Sequence, residues 1–376
     1  MPLRSRPTVY LHIGLIKTGT TYLQGVVWAN AQRLEPAGLR YPGHGIDHFH
    51  ASIDLRDQPF LGDPATHRPS AWNRVAGEAR SAPDRALISH ETFSRATPEQ
   101  VQRAVSSLAP AEVHLILTLR DLGRQVPAVW QERIKNRSEE SYARFLRDIT
   151  GRPRKRGVVH FWQGQDVLDV LRRWDAIPPE RVHVVTVPSA DSPRELLWER
   201  FASVLGVDPG LARTAPPRSN VSLGVEEAEL LRRINPYLRE SVGSWLRYER
   251  AVKTRFANDM LAGLASEPRL VVPDEYQPWL TERARAMIDG LSDGGFDIVG
   301  DIADLEPDFG DQPFAAPSDV SPERLLELAG RCVAELIAEN DALQRTLDRT
   351  PRAQMQKAGR RLRRRVDAAL GFSRRP

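Results

Sequence analysis

Short apolar runs alternate with amphipathic stretches from residue 8 to residue 205. Four runs rich in β-branched and aliphatic residues predict strands, and the stretches between them carry apolar residues at helical spacing. The predicted strands cover 9–13, 85–89, 113–119 and 181–187, and the predicted helices cover 20–34, 98–108, 126–135, 167–174 and 193–205. Near-continuous apolar strands separated by helices are typical of a parallel sheet covered on both faces. The pattern therefore predicts an α/β fold with a central parallel sheet flanked by helices.

One polar segment, residues 43–69, interrupts this alternation. It is rich in proline and contains His44, His48, His50 and His67. A connection of this length is too long for a simple turn, and long ordered loops are usually functional. We therefore expect a loop whose histidines are exposed to solvent.

The pattern becomes mostly helical from 225 to 291 and then changes again near residue 310. It divides the chain into an α/β domain at 1–310, a linker at 311–321, an amphipathic C-terminal helix at 322–350 and a basic tail at 351–376. The C-terminal helix has a heptad-like apolar seam formed by Leu325, Ala329, Cys332, Leu336, Leu343 and Leu347, with Asn340 on the same stripe. Such a seam predicts either a coiled-coil homodimer or a terminal helix that packs on its own domain.

Charge is distributed unevenly between the body and the tail. The chain has 53 basic and 49 acidic residues, a net charge of +4. Residues 351–376 contain nine basic residues and one acidic residue, which is +8 and leaves −4 for the rest. The body therefore gives no reason to expect nucleic-acid binding. The tail is either solvated or lies on an anionic membrane surface.

Composition also indicates the cellular compartment. Cys332 is the single cysteine, which excludes a disulfide framework and a multi-cysteine metal site. We find neither a secretory signal nor a run of roughly 18 uncharged apolar residues that a membrane span needs. We therefore expect a cytoplasmic protein, with peripheral membrane contact through the tail as an open alternative.

The loop between the first strand and the first helix has the clearest chemistry. Residues 14–21 read Gly-Leu-Ile-Lys-Thr-Gly-Thr-Thr. A loop of this kind presents backbone N–H groups and a helix N-terminus to an anion, while Lys17 adds a positive charge. In a Walker A loop the lysine directly follows the second glycine, but here Thr20 has that position.

This K-T-G-T-T loop resembles that of the sulfotransferases that use 3′-phosphoadenosine 5′-phosphosulfate (PAPS), and the resemblance covers roughly residues 8 to 310. It implies a P-loop-like sheet and binding of the 5′-phosphosulfate. The matching residues are Lys17, Thr18, Gly19, Thr20 and Thr21. Tyr22 stands where many members have a tryptophan associated with the adenine.

The resemblance also implies a 3′-phosphate site, in which an arginine ends a strand and a serine follows eight residues later. Arg120 provides the arginine, whose guanidinium can bind a phosphate through two hydrogen bonds. Ala128 stands in place of the serine, and Arg124 is a candidate substitute. Ser219 and Asn220, in a later loop, either contact the nucleotide or cap the helix that follows.

Sulfuryl transfer requires a base and stabilisation of developing negative charge. Lys17 is our candidate for charge stabilisation. Glu91, directly after the second predicted strand, resembles the acidic base of carbohydrate sulfotransferases, and His90, His48 and His50 are rival bases. The chemistry needs no metal, and the histidine-rich segment is a poor metal site because it lacks cysteine and suitably spaced carboxylates.

We therefore expect sulfuryl transfer from PAPS to a hydroxyl or amine of a carbohydrate, glycolipid or secondary metabolite. The first alternative is a P-loop kinase or NTPase, which would need Mg²⁺ and a strand-end carboxylate, for which Asp121 is the candidate. The second alternative is an inactive scaffold that pairs through its C-terminal helix, a hypothesis that Ala128 supports.

Overall fold

Six parallel strands form one sheet in the computed structural model of the chain, which describes residues 6–151, 161–214, 222–264 and 268–348. The strands are β1 (Thr8–His12), β2 (Leu39–Arg40), β3 (Arg85–Ser89), β4 (Glu112–Leu119), β5 (Val182–Thr186) and β6 (Asp297–Val299). Their order in the sheet is β2-β3-β1-β4-β5-β6, and every neighbouring pair is parallel. The prediction of a parallel α/β fold is confirmed.

Helices cover both faces of this sheet. The α-helices are α1 (Thr20–Ala29), α2 (Ala31–Leu34), α3 (Asp47–Arg56), α4 (Ala71–Arg80), α5 (Pro98–Ser107), α6 (Leu122–Lys135), α7 (Tyr142–Thr150), α8 (Val167–Arg173), α9 (Leu196–Leu205), α10 (Val225–Ser241), α11 (Trp245–Tyr248), α12 (Gln277–Asp293) and α13 (Pro322–Asp348). A π-helix, Glu249–Met260, continues from α11.

The chain reverses its direction across the sheet at β1. β3 pairs with one edge of β1 and β4 pairs with the other, so that Thr8 is level with both Arg85 and Glu112. The loops that leave β1, β3 and β4 therefore meet at the carboxyl end of the sheet. A switch point of this kind is where open α/β sheets bind their ligands.

One side of the sheet is sealed by α1 and α9. The buried cluster there joins side chains of four strands to those of the two helices, namely Tyr10, Leu87, Ile116, Val185, Leu23, Val26, Val27, Phe201 and Leu205. Because both faces are covered, the central strands have no polar alternation. This is why the sequence pattern located them well.

The segment 43–69 differs from its prediction. It contains α3 and two short 3₁₀ turns instead of an extended loop, and His48 and His50 are buried, not exposed. Nearly every residue of α3 from His50 to Leu55 is buried, so the helix has no polar face. A search for amphipathic periodicity fails on a helix that is enclosed on all sides.

Smaller differences have local causes. The predicted helix 20–34 is interrupted at Asn30, whose amide donates to the carbonyls of Val26 and Thr214. α6 begins at Leu122, four residues before the prediction. The sequence pattern missed the nine-residue helix α7. It also missed the short outer strands β2 and β6, because two or three residues are too few for a periodic signal.

The chain divides after Val320 into two compact units. In the second unit the described part is α13, which confirms a long helix at the predicted place. Leu336, Leu343 and Leu347 of the predicted seam are exposed, while homodimer pairing stays a prediction. The basic tail lies outside the described residues. Among the described helices, none is both long and apolar enough to cross a membrane.

Candidate functional site

The loop after β1 is built around a close contact at Gly14. A Cβ atom at this position would lie 2.5 Å from Thr20 Oγ1, 2.7 Å from Thr118 Oγ1 and 2.8 Å from His12 Nε2. These distances are shorter than any normal carbon contact, so the loop requires glycine here. The close packing brings the start of α1 directly onto the ends of β1 and β4.

Internal hydrogen bonds hold the loop in shape. The Thr18 hydroxyl donates to the Leu15 carbonyl at 2.7 Å and lies 2.7 Å from Thr118 Oγ1. Gln125 donates to the Ile16 carbonyl at 2.9 Å. Lys17 then takes a φ of 68°, a left-handed conformation that is unusual for a residue with a side chain. The side chain of Thr18 therefore supports the loop, which leaves its backbone for ligand contact.

His12 lies beneath the loop and was missed by the sequence analysis. Its Nδ1 is 2.8 Å from Ser89 Oγ and its Nε2 is 3.1 Å from Thr118 Oγ1, so one imidazole joins β1, β3 and β4. Burial lowers the pKa of His12 to about 3. A neutral ring thus links the three strands that end at the site.

The N-terminus of α1 is open to an anion. Gly19, with a φ of 88°, is the N-cap and supplies no side-chain hydrogen bond, and the first turn contains no acidic residue. The Thr20 hydroxyl is buried and has no hydrogen-bond partner among the described residues. Thr21 is exposed beside it. Free N–H groups, a free hydroxyl and the helix dipole all favour a negatively charged group here.

Tyr22 is half-buried one residue further along α1. The guanidinium of Arg194 lies over its ring, 4.9 Å from the centroid. One face of the ring is therefore in contact with a cation.

A second buried donor without a partner lies at the end of β4. Arg120 Nε is buried and makes no hydrogen bond to any described residue. Burial lowers the pKa of Arg120, and the neighbouring Arg124 lowers it further. A partly buried guanidinium without a hydrogen-bonded anion is costly, so the structure favours an anionic ligand at this position.

Arg124 and Asp121 are already engaged with each other. Asp121 caps α6 by accepting from the Arg124 backbone N–H at 2.9 Å, and it also accepts from the Arg124 side chain and from the Asp308 N–H. Arg124 donates further to the Pro188 carbonyl at 3.1 Å. The segment at Asp308 crosses α6 so closely that a Cβ at Gly123 would lie 2.2 Å from the Asp308 carbonyl oxygen.

Two lysines bind one carboxylate next to the loop, and a third lysine lies close to them. Lys17 Nζ donates to Glu132 at 2.8 Å and Lys253 Nζ donates to its other oxygen at 2.6 Å. Lys135 Nζ, in the same cluster, donates to Asn258 Oδ1 at 2.8 Å. The sequence has five lysines, and all three that the described residues contain lie here.

The charges of this cluster are strongly coupled. Burial by itself would raise the pKa of Glu132, but the ammonium groups of Lys17 and Lys253 outweigh that effect and hold the pKa far below its ordinary value. Burial, with Lys17 and Lys253 nearby, lowers the pKa of Lys135 to about 8. The glutamate therefore stays ionised and fixes the position of the Lys17 amine.

Among the predicted bases, Glu91 is the most accessible. It begins a 3₁₀ turn directly after β3, and its side chain is 28% exposed. The neighbouring His90 accepts the Thr92 N–H on Nδ1, and its Nε2 lies 4.0 Å from the Glu91 carboxylate. Burial lowers the pKa of His90.

His48 and His50 use their ring nitrogens inside the fold. His48 Nδ1 accepts the Ser89 N–H at 3.2 Å and its Nε2 donates to the Pro42 carbonyl at 2.7 Å. Burial lowers the pKa of His48 to about 4. His50 Nδ1 donates to the Thr66 carbonyl at 2.8 Å. His48 therefore holds the end of β3, and a role as base would cost one of these bonds.

A cavity of about 520 Å³ opens beside the lysine cluster. Its lining includes Ile16 of the loop, Glu132 of α6, Thr92 and Arg95 of the turn after β3, and the rings of Phe60 and Phe161. Its volume suits a small organic ligand. Ser219 and Asn220 lie outside the described residues. Within the described ranges, no cluster of three metal-ligating side chains occurs.

Comparison with known proteins gives no further basis for assigning a function. No protein-family model matches the chain, and no curated protein is significantly similar to it.

Proposed function

We propose that the chain is a PAPS-dependent sulfotransferase. The observation that carries the proposal is the pair of unsatisfied anion-binding positions on adjacent strands. One lies at the K-T-G-T-T loop, where Thr20 Oγ1 and the start of α1 are free, and the other lies at Arg120 after β4. A nucleotide with phosphates at both its 5′ and 3′ positions matches two such positions.

Different residues of the site bind different parts of PAPS. The backbone N–H groups of residues 18–21 and the Thr20 hydroxyl hold the 5′-phosphosulfate, and the Arg120 guanidinium holds the 3′-phosphate. Tyr22 lies on the adenine side. Bound PAPS supplies the activated sulfuryl group.

Lys17 and Glu91 carry the catalytic roles in this proposal. The Lys17 ammonium stabilises negative charge on the oxygen that leaves the sulfur, and Glu132 keeps this amine in place. Glu91 takes the proton of the acceptor hydroxyl as that oxygen attacks the sulfur. The acceptor is a carbohydrate, glycolipid or secondary metabolite that occupies the cavity beside Glu132. Its binding places the hydroxyl in line with the bond that breaks.

The alternative of a P-loop kinase requires a free strand-end carboxylate for Mg²⁺. Asp121 is 1% exposed and accepts hydrogen bonds from two segments, so the geometry gives this alternative no support.

Calorimetry with 3′-phosphoadenosine 5′-phosphate tests the proposal. We expect binding that weakens roughly 10- to 100-fold in Arg120→Ala, as is typical for the loss of a charge-assisted hydrogen bond, and that also weakens in Lys17→Ala. Arg144→Ala, which removes an arginine whose side chain is 70% exposed, is the matched control and should bind normally. Unchanged affinity in both site variants, or tighter binding of ATP with Mg²⁺, would sink the proposal.

A further inference from the structure

The cavity beside Glu132 combines apolar and basic side chains. Its lining includes the apolar side chains of Phe60, Phe161 and Val129 and the guanidinium groups of Arg95 and Arg133. Flat apolar side chains suit the face of a sugar or aromatic ring, and a few placed polar groups set its orientation. The two kinds of side chain together fit a ring that carries an acidic substituent.

The arginines around this cavity differ in their partners. Arg133 and Arg239 each pair with a glutamate, and Arg137 donates to backbone carbonyls of residues 242–244. Arg95 makes no hydrogen bond or ion pair with any described residue, and its Nε atom is buried. Arg95 is therefore the cavity arginine that still has its full capacity to bind an anion.

The surroundings of Arg95 increase its need for an anion. Burial lowers its pKa and the guanidinium of Arg133 lowers it further, while the Glu91 carboxylate acts in the opposite direction. Burial also lowers the pKa of Arg56 to about 10, and Arg95 contributes to that shift. Three guanidinium groups thus lie close together in a partly buried region, and of these Arg133 is already paired with Glu140. A charged hydrogen-bond partner stabilises a group such as Arg95 more than a neutral one does.

We infer that this enzyme sulfates an acidic acceptor, a hydroxyl-bearing ring whose carboxylate or sulfate is bound by Arg95. The inference rests on the proposed function for the identity of the cavity as the acceptor site. Arg95 recognises the acid group while Phe60 and Phe161 contact the ring. Arg95 and Glu132, the partner of Lys17, both line this cavity, so an acceptor anchored at Arg95 lies in the same cavity as the Lys17–Glu132 pair.

The test compares 4-nitrophenyl β-D-glucuronide with 4-nitrophenyl β-D-glucoside, which differ only at C6, where the glucuronide has a carboxylate and the glucoside a hydroxymethyl group. We measure binding of both by calorimetry to the full chain saturated with 3′-phosphoadenosine 5′-phosphate. We expect the glucuronide to bind about ten-fold more tightly, as one charge-assisted contact implies. Arg95→Gln should abolish this preference, Arg95→Lys should keep part of it, and the exposed-site control Arg144→Gln should keep all of it.

Equal binding of the two glycosides, no binding of either, or a preference that survives Arg95→Gln would overturn the inference. Circular dichroism of each variant checks that it is folded. A different result would refute the proposed function. If 3′-phosphoadenosine 5′-phosphate does not bind while the glucuronide preference depends on Arg95 in the unloaded protein, the cavity is an acid-binding site and the sulfotransferase assignment is lost. If the nucleotide binds and the preference is absent, the assignment survives and the acidic acceptor is lost.

Discussion

The two ends of the central sheet differ in how completely their polar side chains are paired. At the amino end, Glu112, His114, His183 and Asp297 form an unbroken chain of hydrogen bonds across β4, β5 and β6, with distances of 2.9, 2.8 and 2.7 Å. At the carboxyl end, Thr20 Oγ1, Arg120 Nε and Arg95 Nε are buried and lack partners among the described residues.

The difference indicates which end is functional. Polar groups that only support a fold are paired within it, because an unpaired buried group lowers stability. Groups that bind a ligand remain free until the ligand is present. The paired side chains at the amino end therefore stabilise the sheet. The unpaired side chains at the carboxyl end lower stability and remain available to a ligand.

The largest effect on stability should come from adding a side chain at Gly14, in the close contact at the carboxyl end. Gly14→Ala places a methyl group among Thr20, Thr118 and His12, and we expect the free energy of unfolding to fall by about 3 kcal/mol. The matched control is Gly77→Ala in α4, where an added Cβ meets no atom within 4 Å. That change should raise stability by about 0.5–1 kcal/mol. Urea denaturation measures both, and equal effects of the two would contradict the proposed packing.

Acid pH should lower the stability of the protein, because buried histidines at the carboxyl end of the sheet are neutral in the folded state. The pKa values of His12 and His48 are about 3 and 4, whereas unfolded histidine has a pKa of about 6.5. Between these values the unfolded chain binds protons that the folded chain does not, so stability falls as the pH drops below 6.5. We expect a loss of about 2 to 3 kcal/mol between pH 7.5 and 5.5.

Urea denaturation at the two pH values measures this loss, before carboxylates begin to titrate in the unfolded chain. In His48→Gln the loss should shrink by about 1.4 kcal/mol, which is the share that one such histidine contributes between these pH values. A pH-independent stability over this range is the result that would refute the neutral state of these rings.

The smallest effects on stability should come from replacing one polar side chain at each end of the sheet, and they should have opposite signs. His183→Leu leaves the ring of His114 and the carboxylate of Asp297 without their partner, and we expect a loss of about 1–2 kcal/mol. Arg120→Met removes an unpaired charge, and we expect stability to rise by about 1 kcal/mol. Thermal unfolding in nucleotide-free buffer compares the two variants. A loss of stability in Arg120→Met would show that this end is an ordinary part of the fold.

The sheet and the anion-binding loop were predictable because their signals are local. The apolar runs at β1, β3, β4 and β5 stand out against polar flanks, and the K-T-G-T-T loop is contiguous. Glu91 and Arg120 could be selected because each directly follows a predicted strand. Those predictions needed no knowledge of contacts between distant parts of the chain.

The rest of the candidate site depends on such contacts. Glu132 and Lys253 are 121 residues apart, and no spacing rule connects them. Arg95 is one of 48 arginines, and only the structure shows that it lines the cavity and makes no hydrogen bond to another described residue. His12 lies inside an apolar strand, where its bonds to Ser89 and Thr118 become visible once three strands are aligned.

The crossing of Asp308 over the start of α6 has a consequence for biosynthesis. Asp121 and Gly123, next to Arg120, are in contact with a segment that leaves the ribosome almost two hundred residues later. Translation therefore delivers the loop of β1, the turn of β3 and the end of β4 well before their neighbour at Asp308 is available. The surroundings of Arg120 are therefore completed only after all six strands of the sheet have been translated.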